Sequence, residues 1–127
     1  ADYVTIHCPK TQETAGMFDA ARIARMKPSA RLINTARGGL VDEAALYAAL
    51  TAGKLAGAGV DVFSPEPPLT DNPLFTLQNV IVAPHMAGNS RESLDRAGLT
   101  VVRNLLSVLD GAPRTEYVVN PEALQKR

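Results

Sequence analysis

Ala30-Arg31-Leu32-Ile33-Asn34-Thr35-Ala36-Arg37-Gly38-Gly39-Leu40-Val41-Asp42 is the stretch on which the fold turns. Leu32 and Ile33 read as the core of a strand, bounded upstream by Pro28 and downstream by Gly38-Gly39. Helix signals follow at once. Asp42 suits an N-cap, Val41 and Leu46 suit a hydrophobic staple across it, and Ala45, Leu46, Ala49 and Leu50 form an apolar stripe that stops at Gly53. Strand, glycine turn and helix in that order put Arg37 in a strand-to-helix turn. In open α/β sheets ligands bind outside the carboxyl ends of the strands, so a cation there is a candidate anion contact. Gly38-Gly39 lets the backbone come close to whatever lies nearby.

The same alternation extends both ways. Residues 2 to 8 alternate Tyr3, Thr5 and His7 against Val4, Ile6 and Cys8, a strand pattern that ends at Pro9. Phe18, Asp19 and Ile23 repeat the staple and cap for a short helix through Met26, which Lys27-Pro28 stops. Strands are expected at 30–35, 56–62 and 80–82, with a helix over 42–52. The loop from Phe63 to Leu77 carries Pro65, Pro67, Pro68 and Pro73, which argues for a stiff, functional loop. A long helix is expected from Asn89, with Glu92 completing a capping box and Leu94, Val101, Leu105 and Val108 forming a stripe up to Gly111. The tail at 118–121 reads as extended. Strands alternating with helices predict an α/β fold with a parallel sheet, right-handed crossovers and helices on both faces.

Composition narrows the function. Thirteen Lys and Arg balance thirteen Asp and Glu in 127 residues, so no field draws the chain to nucleic acid or an anionic membrane. Cys8 is the single cysteine, which excludes an internal disulfide and a cysteine-rich metal cluster and fits a reducing, cytoplasmic setting. No apolar run approaches the roughly 20 residues that span a bilayer. The chain opens directly on a strand, without an initiator Met, and is read as part of a longer protein.

Three ionisable residues follow three successive strands: Arg37, Glu66 and His85. Parallel strands bring their carboxyl ends to one edge, so residues scattered along the chain are expected to meet there. A planar guanidinium can hold a carboxylate through two parallel bonds. Imidazole titrates near neutrality and can give a proton to a carbonyl oxygen or take one from a hydroxyl. A carboxylate beside it stabilises the imidazolium, and Pro65 and Pro67 stiffen the backbone around Glu66.

Asn34-Thr35-Ala36-Arg37-Gly38-Gly39, Asp61-Val62-Phe63-Ser64-Pro65-Glu66-Pro67 and Ala83-Pro84-His85, in that order, resemble the second half of the nucleotide-binding domain of the D-isomer-specific 2-hydroxyacid dehydrogenases. The resemblance covers nearly the whole chain. It implies a Rossmann-type half domain over residues 1–87, with a long helix and tail over 88–127 that return to a substrate domain. It further implies NAD or NADP as cofactor, a small 2-hydroxy or 2-keto acid as substrate, and a homodimer. Carried onto matching positions, Arg37, Glu66 and His85 become catalytic. Asp61 matches a nicotinamide-carboxamide contact, Thr35, Ala36, Ala87 and Gly88 face the nicotinamide together with Arg37 and His85, and Cys8, Pro9 and Thr14 line the adenosine side. No G-x-G-x-x-G occurs in the sequence, so the pyrophosphate turn is expected outside this chain.

Each of these residues also has a plain structural reading. Arg37 alone is a solvated loop arginine, Glu66 a surface carboxylate, Asp61 a turn cap and His85 a strand-end histidine. His7 matches no catalytic position and reads as a packed or cleft-wall residue. His7, His85 and Cys8 lack the spacing and fourth ligand of a metal site. The alternative to an enzyme is a nucleotide-sensing or co-repressor-type binding module on the same architecture, since fold does not fix function.

Overall fold

A computed structural model of the chain describes residues 1–126. The chain separates into two compact units, Ala1–Ala87 and Gly88–Arg127.

In the first unit β1 (Tyr3–Ile6), β2 (Arg31–Asn34), β3 (Gly57–Val60) and β4 (Val80–Val82) form one parallel sheet in that order. The register sets Ile6, Asn34, Val60 and Val82 side by side, so all four carboxyl ends form a single row. Between the strands run α1 (Ala20–Ile23), α2 (Glu43–Thr51) and a 3-10 turn at Pro73–Thr76. Asp19 and Asp42 are the N-caps, each accepting a hydrogen bond from the backbone N–H three residues on. Phe18 and Val41, the residues before the two caps, pair with each other as an isolated parallel bridge, which ties the two helix entries together.

Period-two alternation sorts the sheet residues. Ile6, Leu32, Ala58 and Val60 are buried on one face with Ile23, Leu40, Leu46, Leu50 and Leu74. Tyr3, at 63% exposure, and Ile81, at 78%, belong to the other face. The expected coverage of both faces is therefore corrected within this unit. The strand order runs in one direction only, and right-handed crossovers between successive neighbours put every connection on the same side. The first three strands are also shorter than expected, because the residues beyond them leave the ladder to build the turns of the edge. Ordered structure interrupts the proline-rich loop as well, where Asn72 caps the Pro73–Thr76 turn.

The second unit is α3 (Arg91–Leu109) followed by 3-10 turns at Thr115–Tyr117 and Pro121–Lys126. The cap of α3 is Ser90, whose hydroxyl accepts from the Ser93 N–H, and not Asn89. Glu92 lies in the first turn, and hydrogen bonds from backbone and from the Ser90 hydroxyl hold its carboxyl below the usual range. Val118 is extended, as expected, and the second 3-10 turn takes over at Pro121; before it the Arg114 guanidinium lies over the Tyr117 ring at 4.9 Å and bonds to Glu116. Among the described residues no helix is long and apolar enough to cross a membrane.

Two glycines set the tolerance of the edge. A Cβ at Gly38 would lie 1.7 Å from the Phe63 carbonyl oxygen, backbone that cannot swing away, whereas one at Gly59 would make ordinary contact with Ile33 at 3.6 Å. Gly38→Ala is expected to cost about 1–3 kcal/mol or to prevent folding. Gly59→Ala should be neutral or stabilising by up to about 1 kcal/mol. Urea denaturation of the two variants checks the contrast, and equal midpoints would refute it.

Candidate functional site

The row of strand ends launches three turns. After β2, the buried Asn34 side chain closes its own turn: its amide donates to the Arg37 carbonyl at 3.0 Å and its oxygen accepts the Ala36 N–H at 3.1 Å. Arg37 is exposed, with Nη1 on the Ala36 carbonyl at 2.7 Å. A concavity beside it is lined by His7, Cys8, Pro9, Lys10, Ala36 and Arg37. Thr14 instead closes the loop below, its hydroxyl donating to the Pro9 carbonyl and accepting the Thr11 N–H, each at 2.8 Å. His7 is a cleft-wall residue, bonded to the Thr5 hydroxyl.

Asp61 follows β3 and is only 4% exposed. Its carboxylate oxygens accept the Met86 N–H at 2.8 Å and the Ala87 N–H at 2.9 Å, and its carbonyl accepts the His85 N–H at 2.8 Å. Three successive amides beyond β4 thus end on one residue. His85 is the only non-glycine residue with positive φ among those described, at 54°. A left-handed histidine is uncommon and is retained where its surroundings over-determine it. The Asp61 bonds supply that constraint.

The left-handed turn brings His85 to Glu66. Nδ1 lies 2.5 Å from Glu66 Oε1, with the two side chains 45% and 38% exposed. An ionised carboxylate can only accept, so Nδ1 carries the hydrogen and Nε2 is left to exchange a proton. Glu66 and His85, with Asp61, Phe63, Phe75 and Pro84, line a hollow of about 440 Å³. Arg37 lies on a separate concavity that shares no lining residue with this hollow, and among the described residues no hydrogen bond or ion pair joins it to Glu66 or His85.

A third groove has an apolar floor of Ile33, Gly59, Ile81 and Ala83, with Thr35 and Asp61 among its walls and Ala87 at its margin. It shares Thr35 with the concavity beside Arg37. Such a groove fits a flat ring bearing a polar substituent, since Asp61 keeps unused acceptor positions on its oxygens. Gly88 opens the second unit. Residue reading passed over the turn-closing part of Asn34. A polar side chain at the end of a buried strand, just before a glycine turn that enters a helix, is the signal for it.

A parallel α/β sheet whose carboxyl edge carries a guanidinium, an imidazole–carboxylate pair and an apolar groove has the architecture of one half of a Rossmann-type nucleotide-binding domain. Residues 1–87 match the family described as D-isomer specific 2-hydroxyacid dehydrogenase, NAD binding domain, and the chain belongs to that family. It is 49% identical over 111 residues to a D-3-phosphoglycerate dehydrogenase of Mycobacterium tuberculosis (strain ATCC 25618 / H37Rv), a match covering 87% of this chain and 21% of the relative. It is 43% identical over 127 residues to a glyoxylate reductase of Korarchaeum cryptofilum (strain OPF8), covering 100% of this chain and 38% of the relative. The crystal structure of D-lactate dehydrogenase with NAD+ from Lactobacillus jensenii is similar with a TM-score of 0.85 and 34% identity, over 94% of this chain and 39% of that one. A D-isomer specific 2-hydroxyacid dehydrogenase from Xanthobacter autotrophicus Py2, in complex with NADPH and MES, is similar with a TM-score of 0.72 and 40% identity, over 89% and 36%. The chain therefore spans well under half the length of these relatives.

Asp61→Asn should expose the constraint on His85. An amide presents one oxygen and one NH2, so either Met86 or Ala87 loses its acceptor, at a cost of about 1–3 kcal/mol. Hydrogen exchange should accelerate at those two amides, and unchanged protection there would refute the clamp.

Proposed function

We propose that this chain is the catalytic-edge half of the cofactor domain of an NAD(P)-dependent oxidoreductase that interconverts a small D-2-hydroxy acid and its 2-keto acid. The observation that carries the reading is the Glu66–His85 pair, held at the sheet edge with Nε2 free of intramolecular bonds among the described residues. In keto-acid reduction, His85 gives its Nε2 proton to the carbonyl oxygen, and in oxidation it takes the hydroxyl proton back. Glu66 holds the ring through Nδ1. Arg37 binds the substrate carboxylate and so positions the neighbouring carbon. When bound, the nicotinamide supplies or accepts the hydride. Asp61, Thr35, Ala36, Ala87 and Gly88 would hold that end of the cofactor, and Cys8, Pro9 and Thr14 the adenosine end.

Membership of an NAD-binding family and the fit of the groove support this reading. Within it, residues 1–87 are the second half of the cofactor domain, and residues 88–127 lead toward a substrate domain. The enzyme is cytoplasmic and homodimeric, and the exposed Leu94, Val101 and Leu105 of α3 offer apolar surface for assembly. The pyrophosphate-binding turn lies outside these 127 residues. The chain alone is then expected to show no turnover and only weak cofactor binding, and a calorimetric dissociation constant on the order of micromolar for NADH would overturn that.

In an intact enzyme containing the chain, NADH absorbance should fall with at least one of glyoxylate, hydroxypyruvate, its phosphorylated form or pyruvate. His85→Ala should lower kcat by about 10²- to 10⁴-fold with little change in KM. Arg37→Ala should raise KM and lower kcat together. No NADH consumption with any keto acid would favour the binding-module alternative, and near-normal turnover by His85→Ala would remove it from the mechanism.

A further inference from the structure

Glu66 reaches His85 from a loop with very few main-chain anchors. Pro65, Pro67 and Pro68 have no N–H to offer. Among residues 63–71, Ser64 supplies the one backbone N–H that bonds to a residue outside the loop, among those described, and its acceptor is Glu43 Oε1 at 2.7 Å. The other oxygen of the same carboxylate, Oε2, accepts the Asn72 side-chain amide at 2.9 Å. Asn72 in turn accepts the Leu74 N–H at 3.0 Å, starting the 3-10 turn that buries Leu74. One half-buried carboxylate therefore grips both ends of the segment that carries Glu66.

Glu43 is also the first residue of α2, the helix entered from the Arg37 turn. At Gly38 that turn packs directly against the Phe63 carbonyl, one residue before Ser64. The Arg37 turn and the Glu66 loop are thus coupled at two places, by backbone contact and by the Glu43 carboxylate. The exposed Glu66–His85 pair is too solvated to hold the loop itself, because ion pairs at such exposure contribute little.

We infer that Glu43 is a positioning residue which, by bonding Ser64 and Asn72, holds the loop in the one placement that points Glu66 at His85. The inference rests on the proposed acid–base function of that pair.

The test uses an intact enzyme containing the chain, with Glu43→Gln and the double variant Glu43→Gln/Asn72→Asp. The Glu43→Gln amide keeps an acceptor for Ser64 but turns an NH2 toward the Asn72 NH2, so one end of the latch opens. Adding Asn72→Asp reverses the polarity of that bond: the new carboxylate accepts from the new amide while still accepting the Leu74 N–H. The single variant should lose about tenfold in kcat, as one charge-assisted bond predicts, with KM values for keto acid and NADH within about twofold. The downfield Nδ1 proton resonance of His85 should weaken with it. Both kcat and the resonance should recover in the double variant, which a general loss of stability would not produce. Should Glu43→Gln fail to fold, Asn72→Asp alone keeps the acceptor for the Leu74 N–H, opens the bond to Glu43 by setting two carboxylates against each other, and is read identically. Wild-type kcat and resonance in the single variant, or a folded double variant no better than the single, would overturn the inference. If the enzyme consumes NADH with no keto acid but the His85 resonance is lost and restored as described, the proposed reaction fails and the latch stands.

Discussion

The carboxylate of Asp61 is the constraint on which the edge depends. A buried charge is costly unless its hydrogen-bonding capacity is met, and here two backbone amides meet it at 2.8 and 2.9 Å. The strand it governs is weak by itself. β4 has three residues, lies at the sheet margin and leaves Ile81 and Val82 exposed, so its pairing with β3 fixes little beyond its own register. Asp61 extends that pairing past the end of the ladder. Its N–H bonds back to the Asn34 carbonyl on β2 and its carbonyl takes the His85 N–H, so three strand ends are linked through one residue.

The fold was legible because its signals were local. Asp19 and Asp42 cap where hydroxyl or carboxylate caps are expected, and Leu32, Leu46 and Leu50 are buried as their periodicity requires. That Glu66 and His85 belong to one edge followed from topology, since parallel strands end there together. What stayed hidden were interactions between distant segments. Nothing in the sequence around Glu43 marks it as a partner of Ser64 and Asn72, 21 and 29 positions away. Asp61 likewise looked like a ligand contact, and its bonds to Met86 and Ala87 become visible only once β3 and β4 are neighbours. At α3, Asn89 and Ser90 are equally good cap residues, and only the direction of the first free N–H groups selects the serine.

The one-sided sheet has a comparable cause. Alternating strands and helices do not by themselves say on which face each helix lies; strand order decides it. Because the order β1-β2-β3-β4 never reverses, right-handedness leaves the second face of this unit without a helix from its own crossovers. The residues there suit that situation. Tyr3 and Arg31 stack at 5.6 Å as a cation over a ring, and Gly59 keeps the surface between Ile33 and Ile81 low. A low apolar surface ending at Thr35 and Asp61 is also what makes the groove at the carboxyl edge flat. Topology thus shapes the site as much as the residues in it do.

The energetics also separate the groups that build the edge from those that act on it. Asn34 and Asp61 are buried and engaged with backbone, whereas Arg37, Glu66 and His85 remain exposed. Exposed ion pairs are worth about 0–1 kcal/mol, while a buried polar group left unpaired costs about 1–3 kcal/mol. Stability therefore selects for the first set and is nearly indifferent to the second. A left-handed histidine makes the same point from the opposite side, because that backbone is itself unfavourable and folding gains nothing from the ring's reaching Glu66 that would offset it. The strain persists because the Asp61 bonds enforce it, and the turn they hold also delivers the imidazole to the carboxylate. One left-handed turn therefore both ends three amides on the buried Asp61 and delivers an exposed imidazole to Glu66, so the group that builds the edge also aims the pair that stands on it.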